Sequence, residues 1–184
     1  MFDRALLPDS DTVAASTKVK SVAFALATPA DAAALAELRT AAARELTERY
    51  GRGHWSSETT ERGALAELRN AQVWIARYGG ACVGTFRLAT KKPWAIDISY
   101  FTPCKLPMYL TGMAVVPDLQ RRGLGRKCVD EAVKIARAWP GDAIRLDAYD
   151  AEAGAGSFYA KCGFTETGRT AYRSVPLVYY ELVL

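Results

Sequence analysis

One run, MYLTGMAVVPDLQRRGLGRKCVDEAVKIARAWPGDAIRLDAYD at residues 108–150, constrains the fold more than any other part of the chain. It opens as an apolar segment, MYLTGMAVV, whose β-branched and aromatic residues favour a strand. Leu124, Cys128, Ala132, Ile135, Ala136 and Trp139 then recur at helical spacing and share one face of a helix expected over Leu124–Trp139. Pro140-Gly141 stops that helix, and AIRLDAYD returns to strand. Strand, long helix, strand is a right-handed crossover, so the two strands are expected to lie parallel in one sheet.

The remaining segments complete a single α/β domain. VAFALA, residues 22–27, predicts a short strand. Thr28-Pro29-Ala30-Asp31 predicts a helix start: a threonine cap, a proline in the first turn and an acid three residues after the cap. Ala33, Leu35, Leu38, Ala42 and Leu46 form its expected buried stripe, and Gly51 and Gly53 break it. A second helical segment is expected from Ser56 to about Asn70, with Leu65 and Leu68 inward. QVWIARYGGACVGTFRLA predicts a hairpin about Tyr78-Gly79-Gly80, residues suited to positive φ. The stretch TKKPWAIDISYFTPCKLP is too long and proline-rich for a tight connection, and its aromatics argue for order and function. A short helix is expected at about Ala155–Lys161, closed by Cys162-Gly163, followed by strands FTETGRTAY and PLVYYELVL. The expected division is a polar arm at residues 1–20 and one domain at 21–184, with a mixed sheet of six to seven strands and about four helices.

Composition narrows the function classes. A net charge of +4 suits an anionic ligand, but no long Lys/Arg run exists, so nucleic acid is not an expected partner. No apolar run approaches a membrane span, and Pro8, Asp9 and Asp11 interrupt the start where a signal peptide needs an apolar core. Cys82, Cys104, Cys128 and Cys162 are scattered, and His54 is the only histidine, so no ordinary Cys/His metal site is expected. Reduced thiols and a cytoplasmic location are the simpler reading.

The turn QRRGLG, residues 120–125, is unusual where a strand gives way to a helix. The first amides of a helix have no intrahelical partner, and the helix dipole adds positive potential there. Gly123 and Gly125 admit close approach to the main chain, while Arg121, Arg122 and Arg126 add full charges. Physically this is a pyrophosphate cradle; the bland alternative is a solvated corner in which the glycines only shape a turn. Arg126-Lys127-Cys128 after Gly125 departs from the Walker ending, and Cys128 stands where a dinucleotide fingerprint wants its third glycine.

Gln120, Gly123 and Gly125, preceded by Val115-Val116-Pro117, resemble the acyl-CoA-binding motif of the GNAT superfamily of N-acetyltransferases. The order of elements from about residue 22 to 184 is also that of the superfamily. Tyr159-Ala160-Lys161-Cys162-Gly163-Phe164 resembles its Tyr-x-Lys-x-Gly-Phe segment. The resemblance implies a GNAT-like α/β (α+β) fold whose splayed strands form a cleft for acetyl-CoA, with CoA as co-product. It assigns binding of that cofactor to Met113, Val115, Gln120, Arg121, Arg122, Gly123, Leu124, Gly125, Arg126, Ser157 and Tyr159. It makes Tyr159 the proton donor to the departing thiolate, a role open beside that of a core aromatic.

Two departures from the family pattern bear on mechanism. Glu152 stands where an asparagine is common, with Asp150 or Ser157 as substitutes. Tyr109 stands where many relatives carry a catalytic glutamate, which leaves Glu45, Glu48, Asp97, Asp147 or water as the base. His54 lies where relatives place acceptor-recognition loops, and Trp55, Trp94, Tyr100 and Phe101 are candidate walls of an acceptor pocket. The implied function is transfer of an acetyl group to a primary amine of a small molecule or peptide. The rival is a non-catalytic acyl-CoA-binding module. A homodimer paired through PLVYYELVL is a further expectation.

Overall fold

The computed structural model describes residues 22–184; the expected N-terminal arm at 1–20 lies outside the described residues. Seven strands and four α-helices follow one another as β1 (Ala23–Leu26), α1 (Ala32–Tyr50), α2 (Glu61–Leu68), β2 (Val73–Tyr78), β3 (Ala81–Ala89), β4 (Pro107–Val115), α3 (Leu124–Ala138), β5 (Ala143–Tyr149), α4 (Gly156–Lys161), β6 (Thr165–Tyr172) and β7 (Val175–Val183). They form one sheet ordered β1-β2-β3-β4-β5-β7-β6. The neighbours β4 and β5 are parallel, as the crossover through α3 requires, and every other pair is antiparallel.

Local chemistry explains most element ends. Thr28 and Asp31 form a capping box ahead of α1: the Thr28 amide donates to Asp31 Oδ2 at 2.8 Å. Burial would raise the Asp31 carboxyl, but the Thr28 amide and the Arg77 guanidinium together hold it below the usual range. The buried stripe of α1 is Ala32, Leu35, Ala36, Leu38 and Ala43, so Ala33, Ala42 and Leu46 turn further outward than their spacing suggested. The second helix starts later than expected. Ser56 is held in a turn by Thr47 Oγ1 at 2.7 Å and Gly53 N at 3.0 Å, and Thr60 supplies the cap by accepting from Gly63 N at 3.1 Å. Gly79 and Gly80 both take positive φ, +57° and +85°, as a two-residue hairpin demands.

Helices α3 and α4 cover one face of the sheet. Leu124, Cys128, Val129, Ala132 and Ala136 of α3 join Phe86, Leu110, Ile144 and Val178 in the main core. Burying Leu124 and Val129 stabilises by about 1.5–3 kcal/mol each. Trp139 follows the last helical turn and is 58% exposed, so it leaves the face its spacing suggested. On the opposite face, α1 and α2 bury Ala32, Leu35 and Ala64 against Val73.

The long 90–106 connection packs Ile96 and Phe101 on Tyr109 and Tyr179 of that same opposite face. It is ordered by specific bonds. Asp97 N donates to the Tyr179 hydroxyl at 3.1 Å, Thr102 N to Glu181 Oε2 at 3.2 Å, and the Tyr179 hydroxyl donates to Ala95 O. Trp94 is 86% exposed. Strand β7 lies between β5 and β6, so both of its edges are occupied. PLVYYELVL is therefore not an edge free to pair across a dimer; the sheet ends on β1 and β6.

Candidate active site

The parallel pair opens into a fork. β4 and β5 pair only at Pro107↔Ala143, Met108↔Ile144 and Tyr109↔Arg145. Beyond that point β4 runs on to Val115 paired with β3, and β5 runs on to Tyr149 paired with β7. The facing edges of Leu110–Val115 and Leu146–Tyr149 therefore have no ladder partner. A β-bulge marks the divergence: the β3–β4 register passes from Arg87↔Thr111 to Thr85↔Ala114, setting Gly112 and Met113 against Phe86. Gly112 has φ +59°, a conformation glycine adopts without strain, and such a bulge bends its strand. The sequence signal for it was a glycine inside an otherwise clean strand pattern, and it was missed.

The cradle lies just past the end of β4. Gln120 Nε2 donates to Val115 O at 3.2 Å, tying the turn to the strand. The first helical bond of α3 runs from Lys127 N to Gly123 O, so the amides of Leu124, Gly125 and Arg126 have no intrahelical acceptor. Gly123 is in the left-handed region at φ +85°, and a Cβ there would meet nothing within 4 Å. Gly125 answers a different demand: a Cβ there would stand 3.2 Å from the Phe158 ring, so this glycine lets α4 approach α3. Arg121 and Arg122 are exposed beside the turn. Arg126 points elsewhere, donating to Lys161 O at 2.6 Å at the end of α4 and standing 3.4 Å from Asp130. Leu124 is a core residue, so its contribution to the cradle is its amide.

Tyr159 sits on α4 against Phe158, Phe164 and Tyr180, with ring centroids 5.2, 5.6 and 6.3 Å away. It is 8% exposed, and its hydroxyl makes no hydrogen bond to a described residue. Burial, and next the charge of Asp147, push its phenol above the ordinary value, so Tyr159 keeps its proton. Ser157 is exposed on the same helix.

The four candidate acids separate cleanly. Glu45 pairs with Arg49. Glu48 is exposed on α1. Asp97 accepts from Ser99 N at 3.0 Å and Ser99 Oγ at 2.8 Å, which hold its carboxyl below the usual range. Asp147 is half-buried on β5, two residues past the last β4–β5 pair, with no ion pair among the described residues. Burial pushes its carboxyl up. Asp150, which the resemblance offers in place of an asparagine, is taken by Arg169 at 2.7 Å. Tyr109, where the resemblance implies a glutamate, is 3% exposed in the cluster beneath the long connection.

Tyr149 was not singled out in the sequence, yet it anchors the α1–α2 connection. Its hydroxyl donates to His54 O at 3.3 Å, and its ring meets His54 at 6.3 Å and Trp55 at 5.8 Å. The connection thus reaches from α1 to the far end of β5. Beside it lies a depression of about 470 Å³ lined by Arg49, Tyr50, Trp55, Ala151, Glu152 and Ala153.

The parallel pair thus forks beside a helix whose first three amides have no hydrogen-bond acceptor among the described residues. The family model of the acetyltransferase (GNAT) family matches residues 35–164, and the chain belongs to that family. Among solved structures, the protein yncA from Salmonella typhimurium, determined with its cofactor acetyl-CoA, aligns with TM-score 0.63 and 20% identity over 89% of this chain and 94% of its own. An acetyltransferase of the GNAT family from Listeria monocytogenes aligns at TM-score 0.69 and 19% identity, covering 89% and 95%. An N-acetyltransferase from Staphylococcus aureus aligns at 0.65 and 16%, covering 89% and 99%. These likenesses show a shared fold. No curated protein matches the sequence.

Proposed function

We propose that the protein is an N-acetyltransferase that moves an acetyl group from acetyl-CoA to a primary amine by direct attack. The observation that carries this reading is the fork, whose unpaired strand edges lead to the free amides at the start of α3. The residues fit the group: the open space at Gly123 leaves room for a diphosphate, and the amides of Leu124, Gly125 and Arg126 supply donors. Arg121 and Arg122 supply charge from outside, and the main chain of Met113 and Val115 offers pairing groups along the fork. When bound, acetyl-CoA supplies an activated acyl group as a thioester.

The chain's own residues divide the remaining work. Backbone amides of β4 that face the fork stand ready to donate to an acyl oxygen. Tyr159 Oη holds a proton that a departing thiolate can take. Direct transfer suits the cysteines: burial raises Cys82, Cys104 and Cys162, and pushes Cys128 up to about 12, so none offers a thiolate at neutral pH.

A non-catalytic acyl-CoA-binding module is the second reading, favoured by the burial of Tyr109 where relatives carry a carboxylate. Calorimetric titration with acetyl-CoA, paired with thiol release across a panel of amines, separates the two. Binding with amine-dependent thiol release is the expected result. Binding without release from any amine supports the module, and no binding overturns both.

A further inference from the structure

We propose that Asp147 forms an ammonium site in the fork: it receives the acceptor as an aliphatic primary ammonium ion and takes its proton. This rests on the transferase reading and adds the substrate class and the base that Tyr109 cannot provide. Asp147 lies two residues beyond Arg145, the last β5 residue paired with β4, and opposite Tyr179 on β7. It therefore stands on the wall of the opening, where β5 has lost its partner strand.

Arg145, its neighbour on the same strand face, is already answered by Glu181 at 2.9 Å. Asp147 has neither a cation nor a hydrogen-bond donor from another described residue. The titratable groups around it are tyrosines: Tyr149 on β5, Tyr179 on β7 and Tyr159 on α4 are all raised in part by its charge, and Tyr109 ends the paired part of β4. Tyr179 also feels Asp97 and Tyr100. A half-buried carboxylate whose titratable neighbours are tyrosines, with no counter-ion among the described residues, is complementary to an external cation. An arylamine is neutral at physiological pH and gains little there; an alkylammonium ion brings the missing charge.

An alkylammonium ion must lose a proton before its nitrogen can attack. Transfer of one N–H proton to an Asp147 oxygen leaves the bonding pair on nitrogen and turns carboxylate and ammonium into acid and amine, with charge conserved. Burial helps this exchange, because it already favours the protonated carboxyl. The charge of Asp147 also helps raise the Tyr159 phenol, so the group that takes a proton favours retention of one by the group that holds it.

The test follows the Asp147 carboxyl carbon by NMR through a pH titration, with its signal assigned by its loss in Asp147→Asn. The probes are n-butylammonium chloride, n-butanol and aniline, each with and without CoA. Saturable lowering of the titration midpoint by n-butylammonium alone is expected, with affinity for that ion about tenfold weaker in Asp147→Asn. A midpoint that n-butylammonium leaves unmoved, or moves no more than n-butanol does, overturns the proposal. Asp147→Glu controls for folding and should retain ammonium binding. Failure to bind CoA with an intact ammonium response would sink the transferase reading and spare this site; the reverse pattern would sink the site alone.

Discussion

Gly123 and Gly125 stand two positions apart and meet different demands, which makes their variants diagnostic. Gly123→Val places a β-branched residue at φ +85° and fills the open side of the cradle, so it should weaken acetyl-CoA binding at least tenfold by calorimetry. Gly125→Leu instead drives a side chain into Phe158 and should cost about 1–3 kcal/mol in denaturant unfolding. Tyr159→Phe keeps the ring packing and removes the proton, so kcat should fall while the affinity for acetyl-CoA holds. Asp147 carries a pH signature. Its folded carboxyl lies above the ordinary 3.8, so in the window between the two values the folded state binds more protons. Stability therefore falls as pH rises through that window and stays lower above it. Asp147→Asn abolishes the loss and should raise Tm at neutral pH, even as it removes the proposed ammonium site.

Among the elements, the 90–106 connection is fixed to β5 and β7 by the Arg145–Glu181 pair, whose side chains are 5% and 3% exposed. Arg145 also donates to Thr102 O and lies 4.9 Å from the Phe101 ring centre. Arg145→Met or Glu181→Leu alone leaves one buried charge unanswered and should cost about 3–5 kcal/mol, whereas the double variant should recover much of that in chemical unfolding. Little of this network was legible in advance, since the linear pattern around Arg145 is that of any strand and its partners come from distant segments. Periodicity and punctuation revealed α3, the Gly79-Gly80 hairpin and the parallel crossover, because those signals are local. The fork was reached through family resemblance alone: where β4 and β5 stop pairing is a matter of register, marked in the sequence only by Gly112. The start of α2 was misplaced because Ser56 and Thr60 are equally good caps by type, and only the bonds from Thr47 and Gly53 show which is spent elsewhere. Asp147 was one acid among four until strand pairing set it on the open wall.

Over the whole molecule, one sheet carries two incompatible tasks, a continuous core and an opening between neighbouring strands. The bulge at Gly112 reconciles them, with β3 and β7 holding the outer edges of the fork while the α3 and α4 face stays packed. The net charge of +4, with Arg121 and Arg122 exposed at the cradle, gives an anionic ligand a favourable approach. Arg122→Glu should accordingly weaken acetyl-CoA binding, and more so at low salt than at high salt, as salt-dependent titration would show. The central claim is that the free amides of α3 receive the diphosphate and the fork receives the pantetheine arm. Its most direct test is the crystal structure of the complex with acetyl-CoA. Diphosphate oxygens within hydrogen-bond distance of the Leu124, Gly125 and Arg126 amides, with the arm lying between β4 and β5, are the predicted result. A ligand seated elsewhere, with those amides facing only solvent, would contradict it.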